Sequence, residues 1–268
     1  MSIRIVQVDA FTDRPFAGNP AAVALVDERA GGLDDGFRQG LALEMNLSET
    51  AFPTRRSDGD WDLRWFTPAA EVDLCGHATL ATAHVLFSEG LVDGPEIRFH
   101  TRSGVLICRR DGDAVVMDFP SNPPVPSGPV DGLAEALGVP VLEVATSFDV
   151  VAVVDSPDTV RALDPDLTAL SGIDTRAVIA TAAGDVDGGD AHYVCRVFAP
   201  RVGIAEDPVT GSAHTIVGPL WGERLGLTEL SAHQCSARGG RLGVHLNGDR
   251  VELTGVAVTV LDGTLTLP

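Results

Sequence analysis

The stretch His77-Ala-Thr-Leu-Ala-Thr-Ala-His-Val-Leu-Phe87 decides the fold class of this chain. Its residues are small or apolar on almost every side of a helix, and Gly90 follows shortly afterwards as a stop signal. The segments before and after it alternate apolar and polar residues, as short strands do. Because a helix that is apolar all round has to be enclosed by other elements, the sequence predicts a helix over 77–88 inside a curved, mostly antiparallel sheet.

The same plan occurs a second time in the chain. A second apolar helix is predicted from about 212 to 225, again with short strands before and after it. Four pairs of motifs recur in the same order and at nearly constant spacing: Arg64-Trp-Phe-Thr-Pro68 with Arg196-Val-Phe-Ala-Pro200, Gly76-His-Ala78 with Gly211-Ser-Ala213, Arg102-Ser-Gly-Val-Leu106 with Arg238-Gly-Gly-Arg-Leu242, and Gly112-Asp-Ala-Val115 with Gly248-Asp-Arg-Val251. This ordered recurrence indicates an internal duplication.

We therefore expect an α+β fold with two pseudo-symmetric halves, each a barrel-like, mostly antiparallel sheet around a central helix. A segment rich in proline and glycine at about 120–130 is predicted to be the linker. The expected halves are 1–122 and 130–268, with the terminal strand able to cross back to the first half.

The composition argues against several classes of partner. The chain has 268 residues, of which 44% are hydrophobic, and a formal charge of −19. Such an acidic chain is not expected to bind nucleic acid or anionic membranes, since both require positive surface potential. No apolar run is long enough to span a bilayer and the chain does not start with a secretory signal, so we expect a cytoplasmic protein. Positive groups for an anionic substrate must then be local, for instance backbone amides.

The cysteines and glycines give no sign of a metal or a nucleotide cofactor. The four cysteines, Cys75, Cys108, Cys195 and Cys235, are widely spaced and form no Cys-x-x-Cys motif. Neither a zinc site nor a disulfide framework is therefore indicated. Glycine-rich phosphate-binding motifs are also missing from the sequence. We expect no metal and no cofactor.

The two helix starts are candidate binding sites for a carboxylate. In Asp73-Leu-Cys-Gly-His-Ala-Thr79 and in Glu206-Asp-Pro-Val-Thr-Gly-Ser-Ala-His214, a glycine stands where the apolar helix begins. Backbone N–H groups and the positive helix end favour an anion there, which makes Gly76, Gly211 and Ser212 candidate substrate-binding residues. Ordinary helix capping is the alternative. Because the halves are duplicated, we expect both starts to face one cleft.

Several side chains near these starts are candidates for proton transfer. Glu49 lies between a helix and an apolar strand, where desolvation would favour its protonated form, unless it is simply exposed at a strand end. The spacing of the first repeated motif places Asp207 opposite Cys75, as two-sided acid–base chemistry requires. Cys75 could equally be a small buried residue. His77 could donate to a substrate or bond a carbonyl at the helix start.

Five motifs, in this order, resemble the signature set of the PhzF-like (phenazine biosynthesis) family: Phe16-Ala-Gly-Asn-Pro-Ala-Ala-Val23, Leu47-Ser-Glu-Thr50, Phe66-Thr-Pro68, Gly76-His-Ala-Thr79 and Glu206-Asp-Pro-Val-Thr-Gly-Ser-Ala213. The resemblance covers nearly the whole chain. It implies a diaminopimelate epimerase-like fold, a homodimer and no cofactor. It also implies the family's characterised activity, which isomerises trans-2,3-dihydro-3-hydroxyanthranilate by moving a proton.

The resemblance further implies roles for individual residues. Glu49 resembles the family's proton-shuttling glutamate. Asp207 and His77 resemble the residues that hydrogen-bond the substrate and assist the shuttle. Gly211 and Ser212 match the segment that receives the substrate carboxylate.

Two further positions bear on the function. Asn19 lies in the matching Gly-Asn-Pro loop and is expected to line the substrate site. Cys75 precedes Gly76 as the catalytic cysteine does in the epimerases, but the second half has Asp207 and no facing cysteine. We expect a cofactor-independent isomerase of a small carboxylate. A one-cysteine racemase or epimerase of an amino or hydroxy acid, with Cys75 as a base, and a non-catalytic carboxylate-binding protein stay open as alternatives.

Overall fold

The computed structural model describes residues 2–26, 33–184 and 191–266. Contacts divide the chain into two compact units, Met1–Asp118 with Thr254–Pro268, and Phe119–Leu253. The sequence predicts halves of 1–122 and 130–268. In the structure the last strand belongs to the first unit instead of the second. Among the described residues, no helix is both long and apolar enough to cross a bilayer.

The elements follow one another in two series along the chain. The first series is β1 (Ser2–Ala10), β2 (Asn19–Val26), α1 (Asp35–Met45), β3 (Glu49–Arg55), β4 (Trp61–Phe66), β5 (Glu71–Val72), α2 (Gly76–Ser88), β6 (Glu96–Thr101), β7 (Gly104–Asp111) and β8 (Ala114–Pro120). The second series is β9 (Val125–Ser127), α3 (Leu133–Leu137), β10 (Glu143–Thr146), β11 (Val150–Val153), α4 (Pro157–Ala162), α5 (Leu167–Ser171), β12 (Val178–Ala183), β13 (Tyr193–Ala199), β14 (Ile204–Asp207), α6 (Gly211–Leu225), β15 (Glu229–Gln234), β16 (Gly240–Asn247) and β17 (Arg250–Gly255). The last strand is β18 (Ala257–Thr266).

A mostly antiparallel sheet packs around α2 in the first unit. β1 runs antiparallel to both β2 and β18, and further antiparallel pairs join β3 to β4, β4 to β5, β6 to β7 and β7 to β8. The pairs β2–β3 and β4–β6 are parallel. α2 contacts β1, β2, β3, β7 and β18. This is the arrangement predicted from the apolar helix.

The residues of α2 explain how a helix can lie inside a sheet. Between positions 77 and 87 every residue except His84 is buried. The hydroxyl groups of Thr79 and Thr82 donate to the carbonyl groups four residues earlier, at 2.6 and 2.7 Å, so they stay hydrogen-bonded in the core. The helix begins at Gly76, one residue before the predicted start. It ends just before Gly90, whose φ of 64° is the left-handed conformation that glycine adopts most readily.

The second unit places α6 against its own sheet. β13 runs antiparallel to β12 and β14 and parallel to β15, and β15 runs antiparallel to β16. α6 contacts β12, β15 and β16. α4 and α5, which the sequence analysis did not predict, contact the same sheet at β12 and β13. The segment expected to be a linker contains β9, which pairs antiparallel with β10.

An ion pair that recurs in both units supports the duplication. In the first unit, Nε of Arg64 on β4 lies 2.7 Å from Oε1 of Glu71 on β5. In the second unit, Nε of Arg196 on β13 lies 2.7 Å from Oε1 of Glu206 on β14. Each guanidinium also lies over the phenylalanine ring two positions further along its strand, at 5.2 and 5.0 Å.

Candidate functional site

Three elements of the first unit bring polar side chains together at one place. β2 and β3 are parallel and pair near their beginnings, so Asn19 and Glu49 lie near the same edge of the sheet. α2 begins beside them at Gly76, where Cys75 is the extended cap residue. The first turn of this helix carries His77 into the same cluster.

His77 is the centre of this cluster. Its Nε2 lies 3.0 Å from Oε2 of Glu49, and its Nδ1 lies 3.1 Å from Nδ2 of Asn19 and 3.6 Å from Sγ of Cys75. The hydroxyl of Ser48 donates to Oδ1 of Asn19 at 3.1 Å. Asn19 is fully buried, whereas the side chain of Glu49 keeps 12% of its surface exposed. Glu49 is therefore better placed than Asn19 to meet a substrate.

Burial and the charge of Glu49 control the protonation of the other two groups. Burial, with a further contribution from Glu49, raises the pKa of Cys75 to about 11, so the thiol is protonated near neutral pH. Burial by itself would lower the pKa of His77. Negative charge on Cys75 and Glu49 outweighs this and raises the pKa of His77 well above its ordinary value. Because the thiol is protonated, the charge that acts on His77 at neutral pH is that of Glu49.

Glu49, Cys75 and His77 have ligand atoms within 4.8 Å of one another, close enough to be considered for a metal ion. However, Cys75 faces Nδ1 of His77 whereas Glu49 faces Nε2. The two residues thus lie at different nitrogens of the ring, and the present contacts suit proton transfer better than metal ligation. A second described group lies nearer the surface, where arginines pair with its carboxylates: Asp58, Asp60 and His100.

In the second unit, a buried glutamine fixes the start of α6. Gln234 on β15 is fully buried. Its Oε1 accepts from the backbone N–H of Thr210 at 2.8 Å, and its Nε2 donates to the backbone carbonyl of Asp207 at 2.7 Å. The hydroxyl of Thr210 donates to the Asp207 carboxylate at 2.6 Å. Asp207 is thus held beside the first turn of α6, which begins with Gly211 and Ser212.

Arg176 is a polar residue at this start that the sequence analysis did not identify as a site residue. Its guanidinium donates from Nε to the buried carboxylate of Asp149 at 2.9 Å, and from Nη2 to the hydroxyl of Ser212 at 3.1 Å. It also lies 5.1 Å from the centre of the Phe148 ring. A fixed cation therefore stands beside the predicted carboxylate site. Its partner Asp149 is distant in sequence, so no local motif pointed to it.

The predicted site residues form one group in each unit. Those of the first unit are Asn19, Glu49, Cys75, Gly76 and His77. Those of the second unit are Asp207, Gly211 and Ser212.

The expected correspondence between Cys75 and Asp207 is wrong. Cys75 caps α2, and the residue that caps α6 is Thr210. Asp207 instead corresponds to Val72, because each is the last residue of its strand and pairs with the same position of the preceding strand. The recurring ion pair spans 7 residues in the first unit and 10 in the second, and this longer connection shifts the register between the motifs.

Known proteins resemble the chain along its whole length. A family model described as "Phenazine biosynthesis-like protein" matches residues 8–263. An uncharacterized isomerase of Pseudomonas aeruginosa is 51% identical over 267 residues, which cover 100% of both proteins. The crystal structure of a PhzF family phenazine biosynthesis protein of Enterococcus faecalis has a TM-score of 0.94 and 40% identity, with 100% of both chains covered.

A more distant structure extends the likeness of fold. A hydroxyproline epimerase of Agrobacterium vitis, 13% identical, has a TM-score of 0.64 over 98% of this chain and 92% of its own. At this identity the likeness concerns the fold alone. The α+β, epimerase-like fold class predicted from the sequence is confirmed.

Proposed function

The chain belongs to the phenazine biosynthesis-like protein family and is an isomerase, and from this premise we propose that it moves a proton within a small carboxylate substrate. The proposed reaction resembles the isomerisation of trans-2,3-dihydro-3-hydroxyanthranilate. Side chains of the protein supply the acid and the base.

The contact between Glu49 and His77 is the observation that carries this proposal. A carboxylate beside a buried histidine, at 3.0 Å, is a pair that can take a proton from one carbon of a substrate and return it to another. Oε2 of Glu49 faces His77, so Oε1 is the oxygen left for the substrate proton. Mere binding of a carboxylate would not need this pair.

We assign the binding of the substrate carboxylate to the start of α6. Backbone N–H groups of a first helical turn have no partner within the helix and favour an anion. Gly211 and Ser212 form that turn, and Arg176, which is paired with Asp149, donates to the Ser212 hydroxyl and orients it. Asp207 is proposed to hydrogen-bond the substrate, as the family resemblance implies.

Glu49→Gln is expected to lower kcat by at least about 10²-fold, because the amide keeps the size of the side chain but cannot accept the substrate proton. The measurement is turnover of trans-2,3-dihydro-3-hydroxyanthranilate in deuterated water, followed by NMR of the product. Glu44→Gln, on the exposed face of α1, is the matched control and should keep wild-type activity. Wild-type turnover by a folded Glu49→Gln protein would contradict the assignment.

We also propose that the protein is a homodimer and acts in the cytoplasm, as the sequence analysis expects. Analytical ultracentrifugation should give twice the 28.0 kDa mass of one chain at micromolar concentration. A single species of monomer mass would contradict the dimer. Fractionation of the source cells tests the location.

A further inference from the structure

We propose that Ser48 and Asn19 are positioning residues that place the proton of neutral His77 on Nε2, the ring nitrogen that lies 3.0 Å from Oε2 of Glu49. The inference rests on the proposed function for its catalytic meaning. The chain of contacts itself runs from Ser48 through Asn19 to His77 and ends at Glu49.

The side-chain amide of Asn19 is the donor that faces Nδ1 of His77. The amide nitrogen of Asn19 has two hydrogens to donate and accepts none. It lies 3.1 Å from Nδ1 of His77, so this ring nitrogen has to be the acceptor. Because the pKa of His77 is raised, the ring becomes neutral only at a pH above that pKa. In this neutral form the hydrogen is on Nε2, which lies 3.0 Å from Oε2 of Glu49.

The thiol of Cys75 reinforces this choice. Its sulfur lies 3.6 Å from the same ring nitrogen, and its raised pKa keeps it protonated near neutral pH. A protonated thiol is a weak hydrogen-bond donor. Cys75 and Asn19 therefore both present hydrogens to Nδ1 of His77, whereas an acceptor, the Glu49 carboxylate, faces Nε2.

Ser48 fixes the orientation of the Asn19 amide. The oxygen and nitrogen of an asparagine side chain exchange places when the amide turns over, and this would present an acceptor to His77. In the structure the Ser48 hydroxyl bonds Oδ1 of Asn19 at 3.1 Å while Nδ2 faces the ring, and loss of this bond would leave the amide freer to turn over. Asn19 is fully buried and His77 is 5% exposed, so water does not compete readily with these hydrogen bonds.

In this arrangement His77 acts on the carboxylate of Glu49. With its hydrogen on Nε2, the ring has a donor 3.0 Å from Oε2 of Glu49, and neither atom has another hydrogen-bond partner among the residues that the structure describes. A small turn of either side chain would let the ring donate to the ionised carboxylate and stabilise it. Oε1 of Glu49 is then the oxygen available for the substrate proton. Ser48 and Asn19 act through His77 and need not touch the substrate, which agrees with the complete burial of Asn19.

NMR of protein labelled with ¹⁵N-histidine tests the tautomer directly, in the absence of substrate. The signals of His77 are identified by their loss in His77→Gln, and the pH is raised until the ring is neutral. The expected result is a hydrogen on Nε2 in the wild type. Asn19→Asp, which replaces the amide donor with an acceptor of the same size, should move the hydrogen to Nδ1. A wild-type ring with its hydrogen on Nδ1, or a folded Asn19→Asp protein with an unchanged tautomer, would overturn the proposal.

Kinetics test the positioning role of Ser48. Ser48→Ala is expected to lower kcat about tenfold with little change in KM, and to shift the pH profile of kcat, because the amide is no longer fixed. Ser48→Thr keeps the hydroxyl and should restore both. Ser57→Ala, at an exposed position, is the matched control. Equal kcat and pH profile in Ser48→Ala and the wild type would overturn the role of Ser48.

The two experiments separate this inference from the proposed function. If Glu49→Gln keeps its turnover, the proposed reaction fails, and the tautomer of His77 can still be measured and compared. If the reaction depends on Glu49 but the hydrogen lies on Nδ1, the positioning role fails alone.

Discussion

At the scale of single residues, the protonation state of Cys75 distinguishes the proposed isomerase from a one-cysteine racemase. In a one-cysteine racemase it would have to act as a base, and a base must lose its proton near the working pH. Burial, with a contribution from Glu49, raises the pKa of this thiol to about 11, which opposes that role. The contact with Nδ1 of His77 instead suits a donor.

Cys75→Ser is therefore expected to change kcat by less than about tenfold, because the hydroxyl keeps a donor beside His77. Cys75→Ala removes the donor and should reduce kcat more than Cys75→Ser does. The measurement is kcat for both variants at pH 7, together with exchange of the substrate α-hydrogen with deuterated water. Loss of about 10³-fold or more in Cys75→Ser would favour the racemase.

Motifs in the sequence predicted Glu49 and His77 as site residues, but they did not predict the contacts that hold the site residues in place. Ser48 stands beside Glu49 in the Leu47-Ser-Glu-Thr50 motif, yet its contact with Asn19 joins residues 29 positions apart. Arg176 meets Asp149 across 27 positions and Ser212 across 36. Such pairs are created by strand pairing and by the direction of side chains, which one sequence does not reveal.

At the scale of elements, the start of α6 depends on one buried side chain of β15. Gln234 bonds the backbone N–H of Thr210 and the backbone carbonyl of Asp207 at the same time. It thereby fixes the connection that presents Asp207 beside the first turn of the helix. A glutamine is suited to this because its amide is both donor and acceptor.

Gln234→Met is expected to lower the free energy of unfolding by about 2 to 5 kcal/mol, because a buried backbone N–H and a part-buried backbone carbonyl lose their partner. Urea denaturation measures the change. Gln7→Met, at a partly exposed position of β1, is the control and should change the stability by less than about 0.5 kcal/mol. An equally small change in Gln234→Met would show that the connection is held by other contacts.

The central helices were predictable because they are long and apolar all round. α2 and α6 have 13 and 15 residues, enough for a helical pattern to be recognised. α3, α4 and α5 have 5, 6 and 5 residues, which is too short for a period of 3.6 to show. α3 lies between β9 and β10, and α4 and α5 lie between β11 and β12, all before the first strand predicted for the second unit.

At the scale of the whole molecule, the recurring motifs predicted two related units, and each unit has its own central helix in a sheet. The motifs could not fix where the units begin and end, because pairing between distant strands decides that. β18 comes last in the chain but pairs with β1, from Ser2 opposite Thr266 to Ala10 opposite Ala257. The motifs are compatible with such a return of the last strand but do not predict it.

Because β18 pairs with β1, the order of synthesis determines when the first unit can fold. A ribosome makes β18 only after the whole second unit, so the sheet of the first unit stays incomplete until that unit has been made. The second unit is continuous in sequence and can form its core earlier, while the N-terminal residues wait. During that time one edge of β1 is open, and an open edge of an apolar strand can pair with a neighbouring nascent chain. The time needed to make the second unit is therefore time in which β1 is open to such pairing.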